Sequence, residues 1–315
     1  MPGLVLVFAG LGALGLYAGR TFNSPGPSDI PTVAAIPHGG IGEIADLLVR
    51  DGIAAGRFNF RVAAFLTRGD GPVRAGELAF PAHASLRDVL AVLRAGKPVQ
   101  HSLTIPEGRT ARQIAAILGR SDLLTGPLDL DQEAALLPQT YLFERGTPAM
   151  AILARGRVAL QKVLDQEWAG RAENLPLNSK YDALILASIV ERETALADER
   201  PRIAAVFLNR LRAGMKLQSD PTVIYGASAR LGVLDRPISH ADLERDDPFN
   251  TYRIRGLPPG PIAAPGIASL HAVLHPAPGD DLYFVADGTS GHAFARSLDE
   301  HVRNVARYRA LSAGR

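Results

Sequence analysis

The most informative stretch of this chain is 184–226, which reads LILASIVERETALADERPRIAAVFLNRLRAGMKLQSDPTVIYG. It begins with an almost wholly apolar run, Leu184–Val190, which is typical of a helix that is buried on most sides. The run ends on three charged residues, Glu191, Arg192 and Glu193. A carboxylate in the last turn of such a helix lies at the edge of a core, where a substrate cleft can reach it.

Helical spacing distinguishes the two glutamates. The residues three, four and seven positions before Glu191 share its face, and they are Ser188, Ala187 and Leu184. At roughly 100° per residue, Glu193 points about 200° away from that face. Small, weakly polar neighbours predict room for a ligand beside Glu191 and a raised pKa of its carboxyl group, as a general acid needs. The simpler interpretation is that Glu191 ends a core helix and pairs with an arginine.

The residues that follow predict a second helix and a loop. Apolar residues at helical spacing predict a helix over Pro201–Arg212, and Gly214 is its expected stop. A polar turn at 218–221, with the sequence QSDP, then leads into another apolar segment. Loops of this kind often carry substrate contacts. The turn is therefore a candidate binding element.

Four segments of the chain resemble a single family and occur in its order. They are ASIVERET at 187–194, AAVFLNRLRAGMKLQSDPTVIYG at 204–226, FNTYRIRGLPPGPIAAPGIASLHAVLHP at 249–276 and LYFVADGTSGHAFARSLDEH at 282–301. From about residue 33 to 305 the chain resembles the membrane-anchored endolytic murein (peptidoglycan) transglycosylases, the MltG/YceG-like family. The resemblance implies that Glu191 is the catalytic acid/base and that 181–312 is the catalytic domain.

The resemblance also implies which residues bind the glycan. The positions that match the active-site segments of the family are Gln218, Ser219, Asp220, Tyr225, Asn250 and Tyr252. Tyrosines suit this role because their rings pack on sugar faces and their hydroxyl groups form hydrogen bonds, although a tyrosine more often serves core packing. The chain departs from the family at Gln139, where aspartate is usual.

A single carboxyl group suffices for the implied reaction. Most glycosidases use two carboxylates, whereas a muramic glycan supplies its own C6 hydroxyl group as the nucleophile. Glu191 would protonate the leaving oxygen and then accept the C6 proton. Cleavage of the MurNAc–GlcNAc bond then leaves a 1,6-anhydro-MurNAc end and consumes no water. The resemblance further implies that the enzyme terminates nascent glycan strands beside the peptidoglycan synthesis machinery.

Two other functions remain open. A hydrolase on the same glycan would use Asp220 or Asp247 as a water-activating base, and a non-catalytic scaffold would only bind the cell wall. The mass of the products separates the hydrolase from the transglycosylase, because anhydro ends lack one water. Glu191→Gln separates the scaffold, since a scaffold keeps its function in that variant, and Glu193→Gln is the expected control.

Composition excludes several function classes. A length of 315 residues allows two domains, and a net charge of +2 with dispersed arginines and few aromatics does not indicate a nucleic-acid partner. The absence of cysteine excludes disulfides, thiol catalysis and thiolate metal sites. No cofactor is expected. No metal site is expected either, because His271 and His275 are four residues apart but lack the glutamate of an H-E-x-x-H motif.

The beginning of the chain predicts a membrane anchor. Residues 2–19 are uncharged and mostly apolar, and a bilayer span needs about 20 such residues with a lower limit of about 17. We expect an uncleaved anchor over 1–20, with a cleaved signal peptide as the alternative. The resemblance implies a single pass through the inner membrane and a periplasmic or otherwise extracytoplasmic catalytic domain, although Arg20 alone argues for the opposite orientation.

Residues 21–180 predict a linker and two copies of one pattern. Pro, Ser and Gly are frequent at 21–32, which indicates a linker. The segments AAIPHGGIGEIADLL at 34–48 and LTIPEGRTARQIAAIL at 103–118 each predict a strand, an Ile-Pro-x-Gly turn and an amphipathic helix. The resemblance implies a LysM-like module over 33–98, and a second LysM-like repeat with connecting helices over 99–180. Such modules bind N-acetylated glycans; alternatively, this one only positions the catalytic domain.

We expect an α+β fold with an N-terminal transmembrane helix, a small LysM-like α/β module and a mixed α/β catalytic domain. Local sequence signals predict the remaining helices and strands. Capping residues predict helices that start at Ser85, at Thr110 and, through a capping box with Glu300, at Ser297. Further predictions are strands at 32–36 and 282–287, helices at 58–68 and 150–170, and a long polar loop at 227–262.

Overall fold

A computed structural model describes residues 19–130, 132–289 and 291–313. The described residues form two compact units. Unit 1 comprises those within Met1–Ser102 together with Leu142–Gly146, and unit 2 those within Leu103–Tyr141 and Thr147–Arg315. The expected α+β class is confirmed, since helices accompany three two-stranded sheets in the described part of the chain.

The predicted membrane anchor cannot be located in this structure. Of residues 1–20, all but the last two lie outside the described residues. No helix within the described ranges is both long and apolar enough for a bilayer crossing. The predicted linker is partly ordered, because residues 19–23 are helical and Phe22 packs against the core of unit 1.

Unit 1 is a two-stranded antiparallel sheet covered by helices. Its strands are β1 (Thr32–Ile36) and β2 (Gly76–Phe80), and its helices are α1 (Ile41–Arg50), α2 (Arg57–Leu66) and α3 (Leu86–Ala95). Alternation along β1 buries Ala34 and Ile36 in the core. Helix α3 begins as predicted, since Ser85 forms a capping box with Asp88.

The second copy of the strand–turn–helix pattern also forms. Strand β3 (His101–Thr104) pairs with β4 (Thr140–Phe143), and the chain passes between the two units within these strands. Helix α4 (Ala111–Gly119) then starts at Thr110, which forms the predicted cap and completes a capping box with Gln113. The strand, turn and helix predicted for the segments at 34–48 and 103–118 are therefore present in both copies.

Unit 2 is mainly helical. Its further elements are α5 (Ala149–Ala169), α6 (Lys180–Glu193), α7 (Arg200–Arg212), α8 (Asp220–Ala227), α9 (His240–Glu244), α10 (Ile267–Leu274), β5 (Tyr283–Ala286), β6 (His292–Ala295) and α11 (Leu298–Ala313). Helix α6 packs against α5, α7, α8 and α10. Every residue of α6 from Ala183 to Val190 is buried, so the predicted buried helix is confirmed and is the central element of this unit.

Two loop predictions need correction. The polar turn predicted at 218–221 is shorter, because Asp220 and Pro221 already belong to the first turn of α8. Proline suits that position because its missing N–H group would have no partner in the first turn. The long polar loop predicted at 227–262 contains α9, which Ser239 starts through a capping box with Asp242.

Candidate active site

Glu191 lies in the last turn of α6, and its carboxylate is engaged in hydrogen bonds and an ion pair. Its Oε2 accepts hydrogen bonds from the backbone N–H of Gly266 at 2.9 Å and from the hydroxyl group of Ser269 at 2.7 Å. Its Oε1 lies 3.6 Å from a guanidinium nitrogen of Arg200, and the side chain is only 6% exposed. These contacts attach the end of α6 to the N-terminus of α10, where a carboxylate is stabilised by free N–H groups.

The prediction that Glu191 has weakly polar surroundings is wrong. The small residues on its face do not leave room for a ligand, because the Pro- and Gly-rich segment before α10 fills that space. Within this segment the N–H of Ile262 donates a 3.0 Å hydrogen bond to Ser188, and Ala263 and Ala264 are fully buried. The contacts of Glu191 match the simpler interpretation, in which it ends a core helix and pairs with an arginine.

Another carboxylate, that of Glu107, lies close to Glu191 and Arg200. Burial, followed by the nearby negative charge of Glu191, raises the pKa of Glu107, while the charge of Arg200 opposes the shift. Glu107 also packs so closely on Gly266 that a Cβ atom there would lie 1.9 Å from its Oε1. Glycine at this N-cap position therefore lets two carboxylates approach the start of α10.

Glu193 is the last residue of α6, and its surroundings differ from those of Glu191. The hydroxyl group of Ser219 donates a hydrogen bond to its carboxylate, and the residue as a whole has the same intermediate exposure as Glu191. Burial of the carboxyl group raises the pKa of Glu193 to about 7, with a further increase from the charge of Asp220, whereas Ser219 and Arg210 act to lower it. A carboxyl group with such a pKa can donate and recover a proton near neutral pH.

The loop that contacts Glu193 is held in a defined conformation. Gln218 has a φ angle of +53°, a left-handed conformation that is uncommon outside glycine. Its N–H donates to the carbonyl of Thr251 at 3.2 Å, and the N–H of Ser219 donates to the Thr251 hydroxyl group at 2.9 Å. The loop thereby places Ser219 on the carboxylate of Glu193.

Two charged or polar side chains complete the surroundings of Glu193. Tyr252 donates a 2.6 Å hydrogen bond to Oδ1 of Asp220. Burial raises the pKa of Tyr252, and the hydrogen bond to Asp220 and the charges of Asp220 and Glu193 raise it further. Arg210 is buried, with its guanidinium group donating to the carbonyl of Leu217 at 2.7 Å. Four predicted substrate-binding residues, Gln218, Ser219, Asp220 and Tyr252, thus gather near Glu193.

The other two predicted substrate-binding residues are engaged elsewhere. Tyr225 is 4% exposed, donates a 3.0 Å hydrogen bond to Glu133 and packs its ring on Phe249 at a centroid distance of 4.9 Å. Asn250 is 2% exposed, and its amide donates to three backbone carbonyls within and just after α9, at 2.8–3.3 Å. Both side chains hold the surrounding loops in place.

From the sequence, Glu193 was expected only as a control position, and Arg210 was not singled out. One signal for Arg210 was available, because it follows Val206 by four positions and Phe207 by three and therefore lies on the apolar face of α7. A charge on such a face needs a buried partner. The surroundings of Glu193 gave no local signal, since they come from the loop at 217–220 and from Tyr252. Side chains of types that can ligate a metal converge elsewhere in unit 2, at Glu167, His271 and His275.

Comparison with known proteins places these residues in a family context. The YceG-like family matches residues 34–307. An endolytic murein transglycosylase from Bacillus subtilis is 35% identical over 176 residues, which are 56% of this chain and 48% of that protein. One from Streptococcus pneumoniae is 30% identical over 286 residues, covering 75% of this chain and 51% of that protein.

The chain thus spans about half the length of the curated relatives it matches. A solved structure, that of a yceG-like protein from Listeria monocytogenes, superimposes with a TM-score of 0.52 at 27% identity. The superposition covers 88% of this chain and 99% of that one. Because the family match extends over most of the sequence and includes the whole candidate site, this protein belongs to the YceG-like family.

Proposed function

We propose that this protein is an endolytic peptidoglycan lytic transglycosylase, a lyase that cleaves the MurNAc–GlcNAc bond and leaves 1,6-anhydro-MurNAc ends. The names of the relatives, endolytic murein transglycosylases, support the reaction class. The structural observation that carries the proposal is Glu193, whose pKa is raised to about 7 and whose carboxylate accepts a hydrogen bond from Ser219 in the predicted substrate loop. A single group of this kind can serve as both the acid and the base of the reaction.

In the proposed reaction Glu193 acts twice. In its protonated form it donates its proton to the glycosidic oxygen as the bond to the anomeric carbon breaks. As a carboxylate it then accepts the proton of the C6 hydroxyl group, whose oxygen forms the new bond to that carbon. The proton count returns to its starting value, and no water enters. Ser219 orients the carboxylate through its hydrogen bond.

The role assigned to Glu191 from the sequence stays a prediction, and its contacts favour a different role. Three donors already surround its carboxylate, so a glycosidic oxygen would have to displace them. We infer that Glu191 positions the end of α6, and that Glu193 carries the proton.

The predicted sugar-binding residues also fall into two groups, those beside Glu193 and those buried elsewhere. We propose that Gln218, Ser219, Asp220 and Tyr252 bind the glycan beside Glu193, because their side chains lie in or next to the loop on its carboxylate. The contacts predicted for Tyr225 and Asn250 remain predictions, and the burial of both side chains favours a supporting role.

A hydrolase is the second candidate, and one observation favours it. The charge of Asp220 reaches Glu193 and raises its pKa, so the site contains a second carboxylate that could activate water. Asp247, the other candidate base, is less suited because it accepts from Arg230 at 3.1 Å and from the N–H of Phe249 at 2.8 Å. The two reactions differ in whether the product contains an added water.

Mass spectrometry of products from intact peptidoglycan sacculi tests the proposal. We expect internal cleavage products whose new ends lack one water relative to reducing ends. Reducing ends would instead establish a hydrolase, the second candidate. A protein that binds sacculi without releasing any product would establish the scaffold and overturn both enzymatic functions.

We further propose the domain arrangement and location implied by the resemblance. The apolar run at 2–19 supports a single-pass anchor over 1–20 in the inner membrane, followed by a linker over 21–32. LysM-like repeats over 33–98 and 99–180 and a catalytic domain over 181–312 would then face glycan strands outside the cytoplasm, beside the synthesis machinery. Membrane flotation of the full chain and of a chain starting at residue 21 tests the anchor, because only the full chain should float.

A further inference from the structure

Three metal-ligating side chains from two helices converge at the opposite end of α10 from Gly266. Glu167 belongs to the last turn of α5, His271 to the last turn of α10, and His275 directly follows α10. Nδ1 of His271 lies 2.8 Å and Nε2 of His275 lies 3.8 Å from Oε2 of Glu167. We propose that these residues form a binding site for a divalent transition-metal ion such as Zn²⁺.

The distances suit one ion held by all three side chains. The candidate ligand atoms all lie within 4.8 Å of one another. Zinc bonds of about 2.0–2.2 Å at tetrahedral angles place ligand atoms about 3.4 Å apart, and the two measured distances from Glu167 lie on either side of that value. Small side-chain rotations therefore suffice to bring both imidazoles and the carboxylate onto one ion.

The chemistry of the ligands selects the class of metal. Two imidazoles and one carboxylate suit Zn²⁺, Co²⁺, Ni²⁺ and Cu²⁺, whereas Mg²⁺ and Ca²⁺ prefer oxygen ligands throughout. The side chain of His271 is 58% exposed and that of His275 is 33% exposed, so water can reach a fourth coordination position. The site is therefore suited to a hydrated ion held at the surface of unit 2.

The backbone already holds the ligands together. The N–H of Ala172, just after α5, donates a 2.8 Å hydrogen bond to the carbonyl of Leu274, the last residue of α10. The rings of His271 and His275 stack with their centroids 4.3 Å apart. Ligands on packed helices need little rearrangement to bind an ion, which favours affinity.

The electrostatic surroundings also favour a cation. Helices α5 and α10 both end here, and the C-terminus of each helix carries a partial negative charge. The carboxylate of Glu167 adds a full charge. A divalent ion would link the ends of α5 and α10, and we expect it to stabilise unit 2 because binding to the folded state alone shifts unfolding to higher temperature.

Isothermal titration of the full-length chain with ZnCl₂ tests the site, using protein without a histidine tag that has been treated with a chelator. We expect one zinc ion per chain and at least about tenfold weaker binding in Glu167→Gln and in His275→Ala. His240→Ala is the matched control, because His240 is likewise a histidine that pairs with a glutamate, Glu244, at 3.5 Å. Its affinity should equal that of the wild-type chain.

Two further measurements keep the test decisive if a variant folds poorly. Zinc should raise the thermal midpoint of the wild-type chain and of His240→Ala, but not of Glu167→Gln. Co²⁺ bound to the wild-type chain should show the intense visible absorption of tetrahedral nitrogen and oxygen coordination. A wild-type chain that binds no zinc, or equal affinity in Glu167→Gln and the wild type, would overturn the proposal and leave only histidine–glutamate ion pairs.

Discussion

Two carboxylates near the end of α6 differ in what surrounds them. Glu191 faces the N-terminus of α10 and is held by two hydrogen bonds and an arginine. Glu193 faces the loop at 217–220, where Ser219 donates one hydrogen bond and Asp220 contributes a like charge. Residues two positions apart on a helix point to different sides, so the two glutamates meet different partners: Glu191 is held by the start of α10 and Glu193 by the loop before α8.

The comparison also shows that burial alone does not identify an acid. Three donors surround the carboxylate of Glu191, whereas that of Glu193 accepts from Ser219 and faces the like charge of Asp220. Burial raises the pKa of Glu193 to about 7. The contrast between these two carboxylates can be tested by the four predictions that follow.

The largest expected effect is on catalysis. Glu193→Gln should lower the rate of glycan cleavage by about 10³-fold or more, because general acid–base catalysis typically contributes 10²–10⁴-fold. Glu191→Gln should retain at least about a tenth of the activity, since Gln keeps an oxygen that can accept from Gly266 and Ser269. Release of soluble products from sacculi measures both rates.

The reverse outcome would exchange the two roles. If folded Glu191→Gln protein is inactive and Glu193→Gln protein is active, Glu191 is the acid/base that the sequence predicted. Circular dichroism and sacculus binding serve as controls that both variants are folded.

The second prediction concerns stability. The raised pKa of Glu193 means that the folded state binds a proton more tightly than the unfolded state, whose carboxyl has the ordinary value of 4.5. This contribution to stability is present below about pH 4.5 and is lost as pH rises through about 7. Relative to wild type, the free energy of unfolding of Glu193→Gln should therefore rise by roughly 1–3 kcal/mol between pH 5 and pH 8.

Urea denaturation at the two pH values measures this change. The cap variant Thr110→Ala, which removes no titratable group, is the control and should keep a constant difference from wild type. A difference for Glu193→Gln that does not grow with pH would show that Glu193 does not titrate in this range.

The third prediction is a pair of opposite shifts in the pH dependence of cleavage. The wild-type rate should fall as pH rises through about 7, because Glu193 loses its proton there. Asp220→Asn removes the like charge, so the pKa of Glu193 should fall and the alkaline limb of kcat/KM should move to lower pH. Ser219→Ala removes a hydrogen bond that lowers this pKa, so the limb should move to higher pH. Shifts in the same direction would contradict the assignment of the limb to Glu193.

The smallest expected effect is at the other carboxylate. Ser269→Ala removes one of the hydrogen bonds to Glu191 and should lower the free energy of unfolding by about 1 kcal/mol. Its pH profile of cleavage should match that of the wild type, because Ser269 contacts the carboxylate of Glu191. A shifted alkaline limb would show that Glu191 takes part in the proton transfer.

Much of the fold follows from local patterns that can be recognised without coordinates. The apolar run from Leu184 to Val190 predicted a buried helix, and all of its residues are buried. Ser85 and Thr110 predicted helix starts, and both form capping boxes. These signals act over a few residues, which is why they can be identified in a single sequence.

The surroundings of the two glutamates were not predictable in this way. The apolar stripe below Glu191 predicts an open, weakly polar face, but the segment before α10 covers it. The partner of Glu193, Ser219, lies 26 positions further along the chain. The partners of Glu167 are also distant in the sequence, since it precedes His271 by 104 positions.

The order of residues in this chain was therefore enough to indicate the α+β class, the buried helix, the family and the presence of a glutamate at the end of that helix. Each of these depends on neighbours within a few turns or on motifs that survive in one sequence. Only the folded chain shows that Glu191 accepts from Gly266 and Ser269, that the pKa of Glu193 is raised, and that Glu167 meets two histidines. Those properties depend on desolvation and on hydrogen-bond partners from distant segments. These segments come together only when the helices pack.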